Sequence, residues 1–232
     1  MALVLNEEQV MLKDAAAGFL AEKATVEHLR ALRDSNDENG YDTAVWQEMA
    51  EMGWAGIAIP EEFGGLGYGY TGLGLVLEQA GRNLSASPLQ SSVLTGATAV
   101  AEMGSAAQKE ALLAAIAGGE CVVSLALQEG PHHAPENTAA TATAADDGFV
   151  LNGDKCLVLD AHRADQFVVI ARTGGEPGDT AGLSAFLVPA DAAGLSVDRR
   201  SMVCLLYTSD AADDNRLVEV AGGGGAVRGG GG

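Results

Sequence analysis

The sequence has few cysteines, few basic residues and no long apolar runs, and each shortage excludes a class of protein. No run of roughly eighteen apolar residues occurs in the 232-residue sequence, so it predicts no membrane span. The 13 lysines and arginines are outnumbered by 32 aspartates and glutamates, and the net charge of −19 argues against nucleic-acid binding. The three cysteines, Cys121, Cys156 and Cys204, lack metal-binding spacing, so we expect reduced thiols in a cytoplasmic protein.

The first half of the sequence carries the signals of consecutive helices. Two capping boxes, Asn6–Gln9 and Ser105–Gln108, predict helix starts, because each pairs a small polar residue with a glutamine three positions later. Asp42 or Thr43 is placed to cap a further helix. Residues 1–120 are therefore predicted to form an all-α bundle.

From about residue 121 the helical period gives way to short apolar runs separated by turn residues, as in a small β-sheet or barrel. Asn152-Gly153 is a hairpin turn signal between the runs 149–151 and 156–159. An all-helical segment followed by an all-β segment predicts an α+β protein with two segregated domains. The second of them is predicted to span residues 121–202.

The composition changes again after about Met202. Residues 222–232 include eight glycines among eleven residues, which cannot bury enough surface to offset the entropy of the chain. The stretch Cys204–Asp213 resembles an accidental translation of sequencing-adapter DNA, and a natural low-complexity tail is the alternative. Residues 203–232 are therefore predicted to be a disordered or artefactual tail.

The most distinctive motif lies between two helical segments, where the apolar run Gly53–Ile59 is followed by Pro60-Glu61-Glu62-Phe63-Gly64-Gly65-Leu66-Gly67. The proline removes a backbone donor, and the glycines permit conformations that a Cβ atom would obstruct. This motif resembles the N-terminal signature of the acyl-CoA dehydrogenase family. Further stretches resemble the same family in the same order, among them Ser124–Glu129 and Leu151–Lys155.

The resemblance implies a helical N-terminal domain, a small β domain and a C-terminal four-helix domain that this sequence lacks. It implies a flavoprotein oxidoreductase of fatty acid, lipid or steroid catabolism that binds FAD. Such an enzyme oxidises an acyl-CoA thioester to the 2-enoyl-CoA, using a glutamate base to remove the α-proton while hydride passes to the flavin. The resemblance also implies a homo- or hetero-tetramer, with an electron-transfer flavoprotein or oxygen as electron acceptor. Because the base comes from the missing domain, no catalytic residue is assigned, and the fragment alone is expected to be inactive.

The flavin contacts of the family correspond here to Leu125, Leu127 and Gln128 on the first strand of the middle domain, and to Leu157 and Leu159 farther on. The sequence departs from the family at these positions. The family often has Thr-Glu-Pro where Gln128-Glu129-Gly130 stands, and Trp-Ile-Thr-Asn where Leu157-Val158-Leu159-Asp160 stands. The departures resemble subunits of heteromeric acyl-CoA dehydrogenases, which gives the alternative: a shared-site or non-catalytic subunit that acts as a scaffold or an acyl-CoA-binding module.

Structural rather than chemical roles are expected for three histidines and one lysine. His132 and His133 are adjacent, so on an extended chain they point to opposite sides and are not expected to share a metal ion. Lys155 follows Asn152-Gly153 and is expected to close a turn. His162 is expected at the surface.

Overall fold

The computed structural model describes residues 4–146 and 148–199, together with the backbone of two short strands, 218–220 and 222–224. The helices of these residues are α1 Glu7–Lys23, α2 Val26–Asp34, α3 Thr43–Glu51, α4 Gly69–Asn83, a π-helix Leu89–Gly96, α5 Ala97–Met103 and α6 Ala106–Ala117. The strands are β1 Val123–Ala126, β2 Thr141–Ala145, β3 Gly148–Asn152, β4 Gln166–Arg172, β5 Leu183–Pro189, β6 Leu195–Val197, β7 Val218–Val220 and β8 Gly222–Gly224. The predicted α+β fold, with helices first and a small sheet after them, is confirmed. None of the described helices has the length and apolar character needed to cross a bilayer.

Both predicted capping boxes are confirmed. The Asn6 side chain accepts a hydrogen bond from the Gln9 backbone, and the Gln9 side chain accepts one from the Asn6 backbone. Ser105 and Gln108 exchange the same two bonds at the start of α6. At α3 the cap is Asp42, whose carboxylate accepts from two backbone N–H groups. The helix starts could be predicted because each depends on neighbouring residues only.

The sheet is built around β4, which pairs in parallel with β1 on one side and antiparallel with β5 on the other. The β2–β3 hairpin joins the same sheet where Thr141 lies opposite Arg172. Residues of β4 alternate between two cores: Phe167 and Val169 face a core made within the sheet, whereas Val168 and Ile170 face the helices. One strand therefore holds both regions together.

The prediction of a hairpin turn at Asn152-Gly153 is wrong. The observed hairpin joins β2 to β3 ahead of that dipeptide, and β3 ends at Asn152. Gly153 instead has φ 151°, and a Cβ placed on it would lie 2.5 Å from the Cβ of Ala140. The glycine is needed for this close approach, which connects residues distant in sequence and leaves no local signal.

Part of the predicted tail has a defined backbone. Strand β7 pairs with β6, and β8 pairs with β3. That residues 203–232 form a disordered or artefactual tail stays a prediction. Pairing with the edge of a sheet supplies backbone hydrogen bonds that do not depend on side chains, so even a run of glycines can form it. The other residues of 203–232 lie outside the described part, and the division of the chain at residues 120 and 202 stays a prediction.

The glycine-rich motif folds back over the apolar run that precedes it. The backbone N–H groups of Leu66, Gly67 and Tyr68 donate to the carbonyls of Gly56, Ile59 and Ile57, each at 2.9 Å. Gly65 lies so close to Ile59 that a Cβ on it would be 2.5 Å from the Ile59 carbonyl carbon. Ile59 itself is buried in the core that the helices share with the sheet. The motif thus fixes a loop to the junction of the two regions.

Polar contacts also join the helices to the sheet. The Val123 N–H donates to Ser92 Oγ at 3.1 Å, which ties the π-helix to the start of β1. Within the helical region, the indole of Trp46 in α3 donates to the Gly119 carbonyl just after α6, at 3.1 Å. Apolar side chains from α5, α6, β1, β4 and β5 meet in one core between them. The two regions therefore pack as one unit, with a cleft left along part of their boundary.

Candidate functional site

The strand and the loop that carry the five predicted flavin positions lie side by side. The Cys156 N–H donates to the Gln128 carbonyl at 2.7 Å. The Ser124 hydroxyl donates to the Leu159 carbonyl, also at 2.7 Å. The end of β1 and the residues 155–159 are thereby held next to each other, although thirty residues separate them in sequence.

All five predicted residues are half-buried. Leu125 and Leu127 lie on the side of β1 that packs toward the helices, whereas Ala126 between them is buried in the core of the sheet. Leu157 has φ 57°, an uncommon left-handed conformation for a bulky residue. Strained backbone of this kind is often found where a loop has a binding role.

A cleft of about 370 Å³ opens between the helices and the loop after Lys155. Its wall on the loop side includes Leu159, one of the predicted residues, and Asp160. The helical side contributes mostly apolar side chains: Leu29, Leu77, Ala80, Leu84, Ala86, Leu89 and Leu94. Such a cleft suits an apolar group that carries few polar atoms.

Leu127 and Gln128 line a different hollow, also of about 370 Å³, whose other wall is the loop from Glu129 to Ala139. The structure therefore brings the predicted residues together along the backbone, but three of them line two different openings, and Leu125 and Leu157 line neither of these. Leu159 faces the cleft beside the helices, and the end of β1 faces the second hollow. A ligand in contact with Leu127, Gln128 and Leu159 would have to extend across both.

The sequence did not point to Asp160, which lines the cleft next to Leu159. Its carboxylate accepts a hydrogen bond from the buried Ser91 hydroxyl at 2.5 Å. Burial raises the pKa of Asp160 to about 6, and the bond from Ser91 and the charge of Arg199 oppose this rise. The only signal in the sequence was that an aspartate stands where the family often has asparagine.

Replacing Asp160 by asparagine is expected to remove a pH dependence of stability. The pKa of Asp160 is higher in the folded state than in the unfolded state. The stabilisation that Asp160 gives the fold is therefore fully present below about pH 3.8 and is lost as the pH rises through about 6. Above pH 6, Asp160→Asn should therefore be more stable than the wild type by about 2–3 kcal/mol. Urea unfolding between pH 4 and pH 8 measures this. The exposed Asp154→Asn is the control, and equal pH profiles for the two variants would contradict the assignment.

Lys155 does not close a turn at the surface. It is buried, with 1% of its side chain exposed, and its ammonium group contacts Glu129 at 2.5 Å and the Leu127 carbonyl at 3.1 Å. Burial lowers the pKa of Lys155, while the bond to Glu129 acts in the opposite direction. The local sequence gave no sign of this pair, because its partners lie 26 and 28 residues away.

The remaining residues singled out from the sequence are three histidines and two cysteines. His132 and His133 are exposed. His162 is half-buried rather than at the surface, and its Nε2 lies 2.9 Å from the Asn39 carbonyl. Cys121 and Cys156 are free thiols, and burial raises the pKa of Cys121 to about 11, so that thiol is protonated at neutral pH.

Two family models match the sequence in succession. Residues 6–120 match the acyl-CoA dehydrogenase N-terminal domain, and residues 128–204 match the acyl-CoA dehydrogenase middle domain. The first match begins just before α1, and the second begins two residues after the end of β1. The helical region and the sheet thus correspond to two consecutive domains of one family.

Named relatives extend the similarity over most of the chain. Benzylmalonyl-CoA dehydrogenase of Aromatoleum aromaticum is 31% identical over 222 residues, which cover 92% of this chain and 56% of the relative. The ChsE4-ChsE5 complex from Mycobacterium tuberculosis matches with a TM-score of 0.81 and 25% identity, over 97% of this chain and 57% of that chain. An acyl-CoA dehydrogenase from Bacillus anthracis complexed with FAD shares the fold, with a TM-score of 0.78, 24% identity, and coverage of 96% and 37%.

This chain spans about half the length of the curated relatives it matches. Within that half, the two domain matches, the relatives and the order of helices and strands all agree. The chain belongs to the acyl-CoA dehydrogenase family.

Proposed function

We propose that this chain supplies the N-terminal and middle domains of an FAD-dependent enzyme that oxidises an acyl-CoA thioester to the 2-enoyl-CoA. The observation that carries the proposal is the cleft beside Leu159. A position that corresponds to a flavin contact of the family forms one wall of it, and apolar helical side chains form the other. An acyl chain seated in this cleft would lie next to the flavin positions, as oxidation of its carbon–carbon bond requires.

The residues at the end of β1 fit a flavin ring. Leu125 and Leu127 present half-buried apolar surface on one side of the strand, which suits the face of a planar ring. The Gln128 side chain makes no hydrogen bond to any described residue, so its amide is free to bond a polar edge. An amide thereby replaces the hydroxyl of the threonine common in the family. When bound, FAD supplies the two-electron acceptor that the protein side chains lack.

The cleft has two further tasks in this proposal. Its apolar wall binds the acyl chain and excludes water from the reacting carbons. Its polar side is formed by Asp160, which is held by Ser91, and by Gln90 and Tyr41. No catalytic base is assigned to the chain. A base must reach the proton that it removes, and the Asp160 carboxylate already accepts a hydrogen bond from Ser91. The base, the tetrameric assembly and the electron-transfer flavoprotein belong to the whole protein.

A second candidate function is supported by the replaced flavin contacts. Leu157 and Leu159 stand where the family often has tryptophan and threonine, so side chains that could bond or stack on the ring are missing. The similarity to the ChsE4-ChsE5 complex adds to this. In this alternative the chain is a subunit that shares a flavin site with a different subunit, or serves as a scaffold or acyl-CoA-binding module.

Purification with and without a paralogous partner separates the two. We expect the chain to bind added FAD, seen as quenching of flavin fluorescence and as a flavin spectrum that persists through gel filtration. The expected compartment is the cytoplasm, so expression under reducing conditions is appropriate. Flavin retained only after co-expression with a partner would favour the shared site. If both preparations bound an acyl-CoA but neither bound flavin, the proposal of an FAD-dependent enzyme would be contradicted. The function as an acyl-CoA-binding module would then be supported.

A further inference from the structure

We propose that the ion pair between the buried Lys155 and the half-buried Glu129 positions the end of β1 for flavin binding, and so acts through Leu127 and Gln128 rather than on the ligand. The inference rests on the proposed function, since it gives a task to the residues assigned to the flavin. Its own support comes from a set of contacts that converge on this one pair.

Glu129 connects the pair to the start of β2. Its carboxylate accepts hydrogen bonds from the backbone N–H groups of Ala139, at 2.6 Å, and Ala140, at 3.1 Å. The same carboxylate receives the Lys155 ammonium at 2.5 Å. Glu129 therefore holds both ends of the loop 130–138, which forms the wall of the hollow opposite Leu127 and Gln128.

Lys155 connects the pair to β1 itself. Its ammonium group donates to the Leu127 carbonyl at 3.1 Å, and the N–H of the next residue, Cys156, donates to the Gln128 carbonyl at 2.7 Å. Two successive carbonyls of the strand end are thus fixed by two successive residues of the loop. This sets the direction of the backbone at the two residues that are proposed to contact the ring.

The chemistry of the pair argues for positioning rather than for stability alone. An ammonium group with 1% of its side chain exposed loses its hydration, and the attraction to a carboxylate often does no more than offset that loss. A buried pair is useful where its direction matters, because each group accepts only certain hydrogen-bond geometries. Here those geometries fix three segments around one hollow.

The test compares the affinity for FAD with local and global stability. Lys155→Met keeps the length of the side chain and removes the charge, and Glu129→Gln keeps its shape. Lys155→Met is expected to weaken FAD binding by about tenfold or more, as loss of a hydrogen bond to a charged group does. It should also speed hydrogen exchange of residues 127–130 and 139–140. Lys23→Met is the control, since it removes the partly exposed pair with Glu48.

The double variant Lys155→Met/Glu129→Gln separates positioning from stability. It leaves no unpaired charge, so the thermal midpoint should recover toward that of the wild type while FAD affinity stays low. Recovery of affinity together with the midpoint would overturn the inference, as would wild-type exchange of residues 127–130 in Lys155→Met. If the wild type binds no FAD at all, the proposed function fails, and the exchange result alone decides whether the pair positions the strand.

Discussion

Replacing Gly65 by alanine is expected to lower the free energy of unfolding by about 3 kcal/mol or more. Losses of this size come mainly from severe backbone clashes and disrupted cores. The new Cβ would overlap the Ile59 carbonyl oxygen and lie 2.5 Å from its carbon. Backbone atoms cannot turn away as a flexible side chain can. Ile59 is also 2% exposed and lies in the core shared by helices and sheet, so relief of the clash would disturb that core.

The neighbouring glycine provides the matched control for this prediction. Gly64 has φ 80°, and a Cβ placed on it would meet no atom within 4 Å beyond its two chain neighbours. Gly64→Ala should therefore lower the free energy of unfolding by only about 1–2 kcal/mol, the cost of placing alanine in left-handed backbone. Urea unfolding of both variants at one pH measures the difference. Equal losses for the two variants would show that the loop does not pack against Ile59 as described.

Gly96→Ala is expected to have a similar effect at the boundary between the helices and the sheet. Gly96 ends the π-helix, and a Cβ there would overlap the Val123 carbonyl oxygen and lie 3.0 Å from the Val123 Cβ. The clash would separate the π-helix from the start of β1. We expect a loss of about 3 kcal/mol in stability, as for other backbone clashes, together with weaker FAD binding, because β1 carries the flavin positions.

Gly74→Ala in α4 is the control for Gly96→Ala. A Cβ at Gly74 would meet no atom within 4 Å beyond the neighbouring backbone of its own helix, and alanine is favoured over glycine within a helix by about 1 kcal/mol. That variant should therefore be as stable as the wild type or more stable, and should bind FAD equally well. A harmless Gly96→Ala would mean that the helices and the sheet do not meet at this point.

The features that could be predicted from the sequence depend on local residues or on order along the chain. The capping boxes at Asn6 and Ser105 are satisfied by neighbours three residues away, so their outcome did not depend on tertiary structure. The order of helices before strands likewise gave the fold class. The composition of the glycine-rich motif marks it as special, although the reason at Gly65, contact with Ile59, is visible only in the structure.

The features that could not be predicted depend on contacts between distant residues. Asn152-Gly153 has the composition of a hairpin turn, but the glycine is needed for its approach to Ala140. The buried Lys155 has its partner 26 residues away, and Asp160 has one 69 residues away. The candidate site shows the same limit. The flavin positions could be predicted from resemblance to a family. The cleft beside Leu159 and the ion pair of Lys155 with Glu129 are visible only in the folded structure.

Hydrogen exchange of the wild-type chain with and without saturating FAD shows whether the end of β1 and the loop after Lys155 hold the flavin beside the cleft. FAD should slow exchange in residues 124–129 and 155–160, and leave the exposed turns of the helical region unchanged. Slowed exchange only outside these two segments, or none anywhere in the chain, would contradict this placement of the flavin.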